Sequence, residues 1–267
     1  MGFRDPFRDR VVWVTGASSG IGEALARELA QRGATLILSS RRGEALDAVR
    51  RDCERPDGHF VLPLDLGDPP SLEYAVERAL DRFGHVDVMV HNGGVSQRAL
   101  ARDTELAVDR RLMEVDYFGA VALTKALLPS MRQRGSGRFV VVSSLVGKIG
   151  TPLRSGYSAA KHALHGFFDS LAAEEHDAGI RVTMVCPGFI RTEVSRHALT
   201  GDGSEQRKMD DAQAHGMSPE ECARRIVRAI ERGGREVLVA GKERFAVHLH
   251  RFFPGLFARV VRKARVT

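Results

Sequence analysis

Short apolar segments alternate with longer segments of helical periodicity along most of this 267-residue chain. Several apolar segments are rich in Val and Ile and are continuous rather than alternating, which is typical of strands covered on both faces. They predict seven strands, at residues 11–15, 35–38, 59–64, 87–91, 138–143, 181–186 and 236–239. The pattern therefore indicates a buried sheet.

The segments between the predicted strands carry helical patterns and typical helix-end residues. Gly33 is placed to end a helix that begins near residue 21, and Ser218 followed by Pro219 predicts the start of another. The predicted helices cover residues 21–32, 69–83, 105–134, 155–178 and 218–232. Crossovers of this length predict a single α/β domain, residues 1–267, with a doubly wound parallel sheet of about seven strands and helices on both faces.

Two segments depart from this alternation. Residues 190–216 are polar and lack a clear period, and long connections of this kind are often lids over a site, so a substrate lid is predicted here. Residues 242–267 carry apolar positions at helical spacing between Arg and Lys residues, and Pro254 should break or restart the helix. A basic amphipathic segment is typical of a peripheral membrane contact. It is equally typical of a helix that covers a substrate pocket or a subunit interface.

The composition is that of an ordinary globular protein, with 43% hydrophobic and 28% charged residues. A formal charge of +6 suits an anionic ligand, a membrane surface, nucleic acid, or only a self-repelling surface. The sequence has neither a basic helix–turn–helix nor an aromatic RNA-binding platform, so no nucleic-acid partner is expected. Three cysteines without metal-binding spacing and an N-terminal stretch without an apolar signal predict a reducing, cytoplasmic location.

A glycine-rich segment, TGASSGIG, follows the first predicted strand and opens the first predicted helix. Gly16 permits a tight turn, Gly20 lets a phosphate approach the backbone, and Gly22 lets the helix pack closely on the strand. The amide groups at the helix N-terminus then favour a pyrophosphate. This place at the first β–α junction predicts a Rossmann dinucleotide site. Its residues are Gly16, Ser18, Ser19, Gly20, Ile21 and Gly22.

Polar residues also follow the second, third and fourth predicted strands, where open α/β sheets bind their ligands. Arg41 stands where an NAD-preferring site usually has an acidic residue, and a guanidinium pairs well with a 2′-phosphate. NADP(H) is therefore predicted in preference to NAD(H). Asp65 is placed either to accept a hydrogen bond from the adenine amino group or to act only as an acceptor at a helix N-terminus. Gly93 lets backbone lie beside a cofactor. The candidate contacts in this group are Ser40, Arg41, Asp65, Leu66, Asn92 and Gly93.

The residues most indicative of a reaction are Tyr157 and Lys161, which lie four apart in a predicted helix and so share one face. An ammonium beside a phenol favours the phenolate, which makes a proton relay through Tyr157 workable near neutral pH. A serine at the end of the fifth predicted strand, Ser143 or Ser144, is placed to hydrogen-bond a developing alkoxide.

Together these motifs resemble the classical short-chain dehydrogenase/reductase family. TGASSGIG, NGG, VVSS, YSAAK and PGFIRT occur in the family's order and spacing over about residues 10–240. The resemblance implies that Ser144, Tyr157 and Lys161 are catalytic, with Ser144 chosen because the family serine lies thirteen residues before the tyrosine. It also implies that Lys161 binds the nicotinamide ribose. Further implied cofactor contacts are Pro187, Gly188, Ile190 and Thr192.

The activity that the resemblance implies is NADP-dependent hydride transfer to a carbonyl carbon or from a secondary alcohol carbon, with Tyr157 as general acid or base. Within the family, SSLVGKIGTPLRSGYSAAKHAL and the GDGS segment are most similar to the 11β-hydroxysteroid dehydrogenase type and its membrane-associated relatives that reduce steroids and retinoids. An apolar small molecule is therefore the expected substrate. Pairing of long helices between subunits in this family implies a homodimer or homotetramer.

Two positions depart from the family pattern. Gly93 replaces a small alanine, and Asp116 stands where the family has a catalytic asparagine. A carboxylate cannot donate a hydrogen bond unless it is protonated. The expectation is a working proton relay with a shifted pH optimum. The alternative is an NADP-binding sensor or regulatory protein of the same fold with little turnover.

Overall fold

Seven parallel strands form the central sheet, in the order β3-β2-β1-β4-β5-β6-β7. The computed structural model describes residues 5–264. The strand order reverses between β1 and β4, which opens a crevice at the carboxyl ends of these strands. The strands are β1 (Val11–Thr15), β2 (Thr35–Ser39), β3 (Phe60–Val61), β4 (Val88–His91), β5 (Gly137–Val142), β6 (Ile180–Pro187) and β7 (Glu236–Val239).

Helices cover both faces of the sheet, as predicted. Helices α1, α2 and α8 share one apolar core with Val12 and Val14 of β1, whereas α3, α5 and α6 pack with Val11 and Trp13 on the opposite face. The helices are α1 (Gly20–Gln31), α2 (Gly43–Asp52), α3 (Pro69–Phe83), α4 (Leu106–Met113), α5 (Gly119–Arg134), α6 (Ser155–Glu174), α7 (Asp211–Ala214), α8 (Pro219–Glu231), α9 (Phe245–Phe252) and α10 (Pro254–Val261).

Most predicted element boundaries agree with the structure to within a few residues. Ser218 caps α8, because its hydroxyl oxygen accepts a hydrogen bond from Glu221 N at 3.2 Å, and Gly33 follows α1 with a φ of 87°. The third strand is shorter than the predicted 59–64, because this edge strand pairs with β2 over two residues only. Helix α6 ends at Glu174, and residues 175–179 turn back towards β6.

The long helix predicted at residues 105–134 is present but contains a π-helical turn. This turn, Glu114–Phe118, joins α4 to α5. A π turn accommodates one extra residue and frequently marks a functional position. Here it directs Asp116 inwards, and only 2% of this residue is exposed.

The chain after β7 forms two short helices. Pro254 begins α10 directly after α9, as predicted. Residues 265–267 of the predicted amphipathic segment and residues 1–4 of the predicted domain lie outside the described residues. Between residues 5 and 264, no helix is both long enough and apolar enough to cross a membrane.

The three cysteines are free thiols that are buried in different parts of the fold. Cys53 follows α2, Cys186 lies in β6 and Cys222 lies in α8. Burial raises the pKa of Cys53 to about 11 and the pKa values of Cys186 and Cys222 to about 12. These thiols are therefore protonated at neutral pH and are poor nucleophiles.

Candidate active site

The carboxyl ends of the strands surround one large cavity of about 750 Å³. It lies where the strand order reverses, as expected for a doubly wound sheet. All of the site residues predicted from the sequence line this cavity except Gly22 and Asp116, which lie behind its wall. The fold therefore gathers residues from the ends of strands β1 to β6, and from the segments that follow them, at one place.

The glycine-rich turn after β1 leaves the backbone uncovered at the floor of the cavity. Gly16 and Gly20 have φ values of 64° and 58°, a region that strongly favours glycine. A Cβ at Gly16 would lie 2.8 Å from Gly93 Cα, and a Cβ at Gly20 would lie 2.9 Å from Thr192 Cγ2. A Cβ at Gly22 would overlap the carbonyl of Gly16. The turn thus has no room for larger residues and presents main-chain groups to a ligand.

The segment after β4 is fixed against this turn by hydrogen bonds from its own backbone and side chain. Asn92 Nδ2 donates to Thr15 O at 3.0 Å, and Gly93 N donates to Thr15 Oγ1 at 3.1 Å. A Cβ at Gly93 would lie 2.6 Å from Leu66 Cδ1, so glycine at this position lets Leu66 approach. Thr15 was not among the predicted site residues, although it is the first letter of the glycine motif.

Two adjacent arginines follow β2 at the end of the cavity. Arg41 and Arg42 are both exposed and both line it. Arg42 Nη2 donates to Ser18 Oγ at 3.2 Å and lies 3.4 Å from Ser19 Oγ. Sequence reasoning selected Arg41 and passed over Arg42, although the pair was visible in the sequence. The structure connects Arg42 directly to the glycine turn.

Asp65, the predicted adenine contact, is already held by two neighbours. Asp65 Oδ1 accepts a hydrogen bond from Gly67 N at 2.9 Å, and its Oδ2 lies 3.5 Å from Nη2 of Arg111. Arg111, which comes from α4, also lines the cavity. It was not predicted, because nothing local in the sequence connects α4 with the end of β3.

Helix α6 carries Tyr157 in its first turn and Lys161 one turn later. Lys161 Nζ lies 5.6 Å from the centroid of the Tyr157 ring and donates to Val142 O at 3.3 Å. Lys161 is buried, with 4% of its surface exposed. The carbonyl at the end of β5 thus holds the ammonium beside the phenol.

The two serines after β5 have different surroundings. Ser143 Oγ donates to Lys161 O at 3.2 Å and lies 3.1 Å from Nε2 of His165, so its hydroxyl is occupied inside the protein. Ser144 is half-buried, lines the cavity, and its Oγ accepts from Val146 N at 3.3 Å. This geometry leaves Ser144 the better placed of the two to meet a ligand.

Asp116 lies behind Lys161 in the interior. Its Oδ1 accepts a hydrogen bond from Val95 N at 2.8 Å, and a Cβ at Gly94 would overlap this oxygen while lying 3.3 Å from Lys161 Nζ. Oδ2 has no hydrogen-bond partner among residues 5–264. Burial raises the pKa of Asp116 to about 6, against the opposing effects of the Lys161 charge and the Val95 amide. Asp116 therefore titrates close to neutral pH.

The outer part of the cavity is mostly apolar. The segment 190–216 and the last two helices contribute to its wall together with residues after β5 and β6. The polar residues of this part include Arg98 and Arg154, both buried, and burial together with the neighbouring Arg98 charge lowers the pKa of Arg154 to about 10. Further polar lining residues are Ser96, Thr151, Glu193, His197, Glu205, Gln213 and Glu243. The apolar side chains are Val95, Leu145, Val146, Ile149, Phe189, Val194, Leu199, Leu249, Phe257, Val260 and Val261.

Comparison with known proteins agrees with this arrangement. Residues 10–202 match the sequence profile of the family described as short chain dehydrogenase. The chain belongs to the short-chain dehydrogenase/reductase family. A Drosophila melanogaster dehydrogenase/reductase SDR family protein 7-like is 43% identical over 270 residues, which cover 99% of this chain and 83% of the relative. A human dehydrogenase/reductase SDR family member 7 is 42% identical over 238 residues, or 87% of this chain and 70% of the relative.

Solved structures of the family have the same fold. A short-chain dehydrogenase from Streptomyces avermitilis superposes with a TM-score of 0.81 at 32% identity, covering 95% of this chain and 98% of the other. A Burkholderia phymatum family member, solved in complex with NAD, gives a TM-score of 0.82 at 21% identity and covers 96% of each chain. As a member of the family, this protein is an NAD(P)-dependent oxidoreductase with a nicotinamide-cofactor site.

Replacing Asp116 by Asn should make the protein more stable at neutral pH, since it removes a carboxylate that is poorly solvated when buried. The folded-state pKa of Asp116, about 6, exceeds its ordinary value of 3.8. Stability is therefore lost as pH rises from about 4 to about 6, by about 3 kcal/mol at 1.36 kcal/mol per pKa unit. Urea unfolding of parent and Asp116→Asn from pH 4.5 to 7.5 measures this.

The difference between the two proteins should grow with pH up to about 6 and then stay constant. A difference that is the same at every pH would show that Asp116 does not titrate in this range. Turnover of Asp116→Asn should equal or exceed that of the parent, with a pH–rate profile that lacks the step near pH 6.

Proposed function

We propose that this protein is an NADP(H)-dependent oxidoreductase that interconverts a carbonyl and a secondary alcohol on an apolar small molecule. The observation that carries the proposal is the position of Tyr157, Lys161 and Ser144 on the wall of the same cavity that the glycine turn enters. The residues proposed to bind the nucleotide and the residues proposed to transfer the proton therefore line the same cavity. This is the arrangement that a hydride-transfer enzyme needs, because cofactor and substrate must meet there.

The residues present fit a dinucleotide. The uncovered backbone at Gly16 and Gly20 suits a pyrophosphate. Cβ atoms at these two positions would clash with Gly93 and Thr192, which face the turn. Lys161, Ile190 and Thr192, of which Thr192 lies against Gly20, would hold the nicotinamide half, by resemblance to the family. When bound, the nicotinamide supplies or accepts the hydride.

Proton transfer is assigned to the side chains of this chain. Tyr157 carries the proton that is given to, or taken from, the substrate oxygen, and Lys161 lies one turn further along the same helix. The hydroxyl of Ser144 donates a hydrogen bond to the same substrate oxygen. The carboxyl of Asp116 influences the relay through Lys161, because both lie against Gly94.

Preference for NADP(H) rests on the charge after β2. No carboxylate occurs at positions 39–43, whereas Arg41 and Arg42 both line the cavity. A guanidinium forms charge-assisted hydrogen bonds with a 2′-phosphate, which NAD lacks. Arg42, which also reaches Ser18 Oγ, links that phosphate position to the glycine turn.

The substrate is proposed to be apolar and steroid-, retinoid- or ketone-like. The lining of the outer cavity supports this, since its side chains are mainly Val, Leu, Ile and Phe. We treat residues 1–267 as one domain in which residues 190–216 act as a lid and residues 242–267 as a second cover. Free, buried thiols favour a cytoplasmic location.

The last two helices support a peripheral membrane contact as well as a cover. Phe257 is buried and lines the cavity, whereas Phe252, Phe253 and Leu256 are 68%, 63% and 50% exposed. Exposed Arg251, Arg259, Arg262 and Lys263 accompany them. One side of this C-terminal helix pair, α9 and α10, thus faces the cavity, and the other has the apolar and basic groups that bind an anionic lipid surface.

A sensor with the same fold and little turnover is the second candidate. The observation in its favour is Asp116 at the position of the family asparagine. Turnover of any ketone with NADPH by the parent protein excludes it.

The first prediction concerns the cofactor. Catalytic efficiency with NADPH should greatly exceed that with NADH. Arg41→Ala and Arg42→Ala should each weaken NADPH binding by about 10-fold to 100-fold, the amount expected for one charge-assisted hydrogen bond. Fluorescence titration with both cofactors measures the effect. NADH binding should stay near the parental value in Arg41→Ala, and equal efficiency with both cofactors in the parent would contradict the assignment.

The second prediction concerns the proton donor. Tyr157→Phe keeps the ring and removes the transferable proton, so kcat should fall by about 10²-fold to 10⁴-fold. NADPH affinity should change little, which serves as the control for folding. Lys161→Ala should lower both turnover and NADPH affinity. Full turnover by Tyr157→Phe would falsify the mechanism.

The third prediction concerns association into a homodimer or homotetramer. Phe118 is 48% exposed at the π turn between α4 and α5, and burying such a ring against a second copy excludes water from it. Phe118→Glu should therefore shift the mass measured by light scattering towards the monomer. Tyr74→Glu, at a 59% exposed position on α3, is the matched control and should not. A parent that is monomeric at micromolar concentration contradicts this.

The fourth prediction tests the two sides of the C-terminal helix pair, α9 and α10, separately. The pair Phe252→Ser and Phe253→Ser should abolish co-sedimentation with phosphatidylcholine/phosphatidylserine vesicles at low salt, because it removes the exposed rings. Phe257→Ala should instead raise the KM for an apolar ketone and leave vesicle binding unchanged. If the parent does not bind these vesicles, the C-terminal helix pair covers the substrate pocket and does not contact a membrane.

A further inference from the structure

Residues 96–99 form an extended strip that lies between two functional segments. On one edge, Leu199 N donates to Ser96 O and Arg98 N donates to Leu199 O, both at 2.8 Å. On the other edge, Ala99 N donates to Leu153 O at 3.1 Å. The strip therefore pairs at once with the segment 190–216 and with the residues that lead into α6.

The side chain of Gln97 binds the first turn of the helix that carries Tyr157. Its Oε1 accepts hydrogen bonds from Gly156 N at 2.8 Å and Tyr157 N at 3.3 Å. Its Nε2 donates to Thr104 Oγ1 at 2.9 Å, and the residue is fully buried. The amides of a first helical turn need an acceptor from outside the helix. Here a distant glutamine supplies it and thereby fixes the backbone of Tyr157.

The next side chain, Arg98, binds the segment 190–216. Arg98 Nε donates to Asp210 Oδ2 at 2.8 Å, and its Nη2 lies 2.6 Å from the same oxygen. Nη2 of Arg154, the residue before α6, lies 3.4 Å from Asp210 Oδ2. The side chains of Arg98, Arg154 and Asp210 are 4%, 7% and 1% exposed. Moving Asp210 away would therefore remove the carboxylate from two buried guanidinium groups, which is strongly unfavourable.

We propose that residues 96–99 couple the seating of the lid to the position of Tyr157, with Gln97 and Asp210 as positioning residues. The proposal deepens the proposed function, because it rests on Tyr157 as the proton donor. Seating the lid pairs Asp210 with Arg98 and Leu199 with the strip, and the same strip holds the first turn of α6 through Gln97. The catalytic geometry is then complete only when the lid covers the substrate, so the reaction proceeds away from bulk water.

The first experiment replaces Gln97 by Met, which has a similar length but no acceptor oxygen. We expect kcat to fall by about tenfold, since small displacements of a reacting group reduce rates strongly. NADPH affinity should stay within about twofold, because Gln97 does not line the cavity. Thr104→Val is the matched control. It removes the bond at Gln97 Nε2 and the bond from Thr104 Oγ1 to Leu100 O, but it leaves both bonds at Gln97 Oε1, so its kcat should be parental. Parental kcat in Gln97→Met, or an equal loss of NADPH affinity, overturns the proposal.

The second experiment tests the coupling with a double-mutant cycle. Asp210→Asn keeps the shape of the side chain and removes the charge that pairs with Arg98. Measured on saturating ketone and NADPH, its kcat should fall, and the double variant with Gln97→Met should be little worse than the more damaged single variant. Losses that simply multiply mean that lid and helix act independently, and this refutes the coupling.

Amide hydrogen exchange supplies a readout that needs no turnover. In Asp210→Asn, the amides of Gly156 and Tyr157 should exchange faster than in the parent, while those of β5 should not. If that variant does not fold, Gln206→Ala removes a milder contact, the 3.1 Å hydrogen bond to Asp210 Oδ1, and should act in the same direction. Unchanged exchange at Gly156 and Tyr157 in the folded variant refutes the coupling. This holds even if Tyr157→Phe were to show that the proposed chemistry is wrong.

Discussion

The hydroxyl of Thr15 joins β1 to β4 at the point where the strand order reverses. It donates to Val90 O at 3.2 Å and accepts hydrogen bonds from Asn92 N at 3.0 Å and Gly93 N at 3.1 Å. With the side-chain amide of Asn92, which donates to Thr15 O at 3.0 Å, this hydroxyl extends the pairing of β1 and β4 beyond the last paired residues of the two strands. The glycine turn and the backbone beside Gly94 keep their separation through this buried contact, and the cavity depends on that separation.

Two buried carboxylates of the site, those of Asp210 and Asp116, differ in how nearby groups compensate their charge. Asp210 is surrounded by guanidinium groups and thereby fixes a segment in place. Asp116 has only the Lys161 charge and one amide to compensate for its burial, and its pKa rises to about 6 as a result. Inside a protein, where charges are weakly screened, both arrangements have large effects. The first gives rigidity, and the second gives a group whose charge changes near physiological pH.

Local sequence patterns predicted the layers of the fold correctly, and most of the residues that they selected for the site line one cavity. Continuous Val and Ile segments identified the strands, because a parallel sheet is buried on both faces, and the glycine spacing identified the turn after β1. The local pattern allowed either serine of the pair, and the family spacing selected Ser144. In the structure, the hydroxyl of Ser143 is hydrogen-bonded inside the protein. The edge strand β3 was predicted too long because Leu62 and Leu64, which follow it, are also buried. An apolar residue that packs beside a sheet gives the same sequence pattern as one that belongs to a strand.

The residues that sequence reasoning missed act across long distances in the chain. Gln97 meets Gly156 and Arg98 meets Asp210, separations of 59 and 112 residues. Glutamine and arginine are common at protein surfaces. Gln97 and Arg98 are buried here because residues 96–99 lie between the segment 190–216 and the residues that lead into α6. Helix α2 was not predicted because it is short and mostly polar, with only Leu46 and Val49 buried.

The three buried, protonated thiols can report which part of this protein unfolds first. Cys222 is packed in the layer of helices on one face, and Cys53 follows α2. Cys186 is in β6, next to the edge strand β7, and its thiol lies beside His165. A thiol reagent reaches each one only when that layer separates, because the thiolate is scarce and shielded in the folded state. The order in which the three cysteines become modified therefore traces the order in which the layers come apart, without any added label.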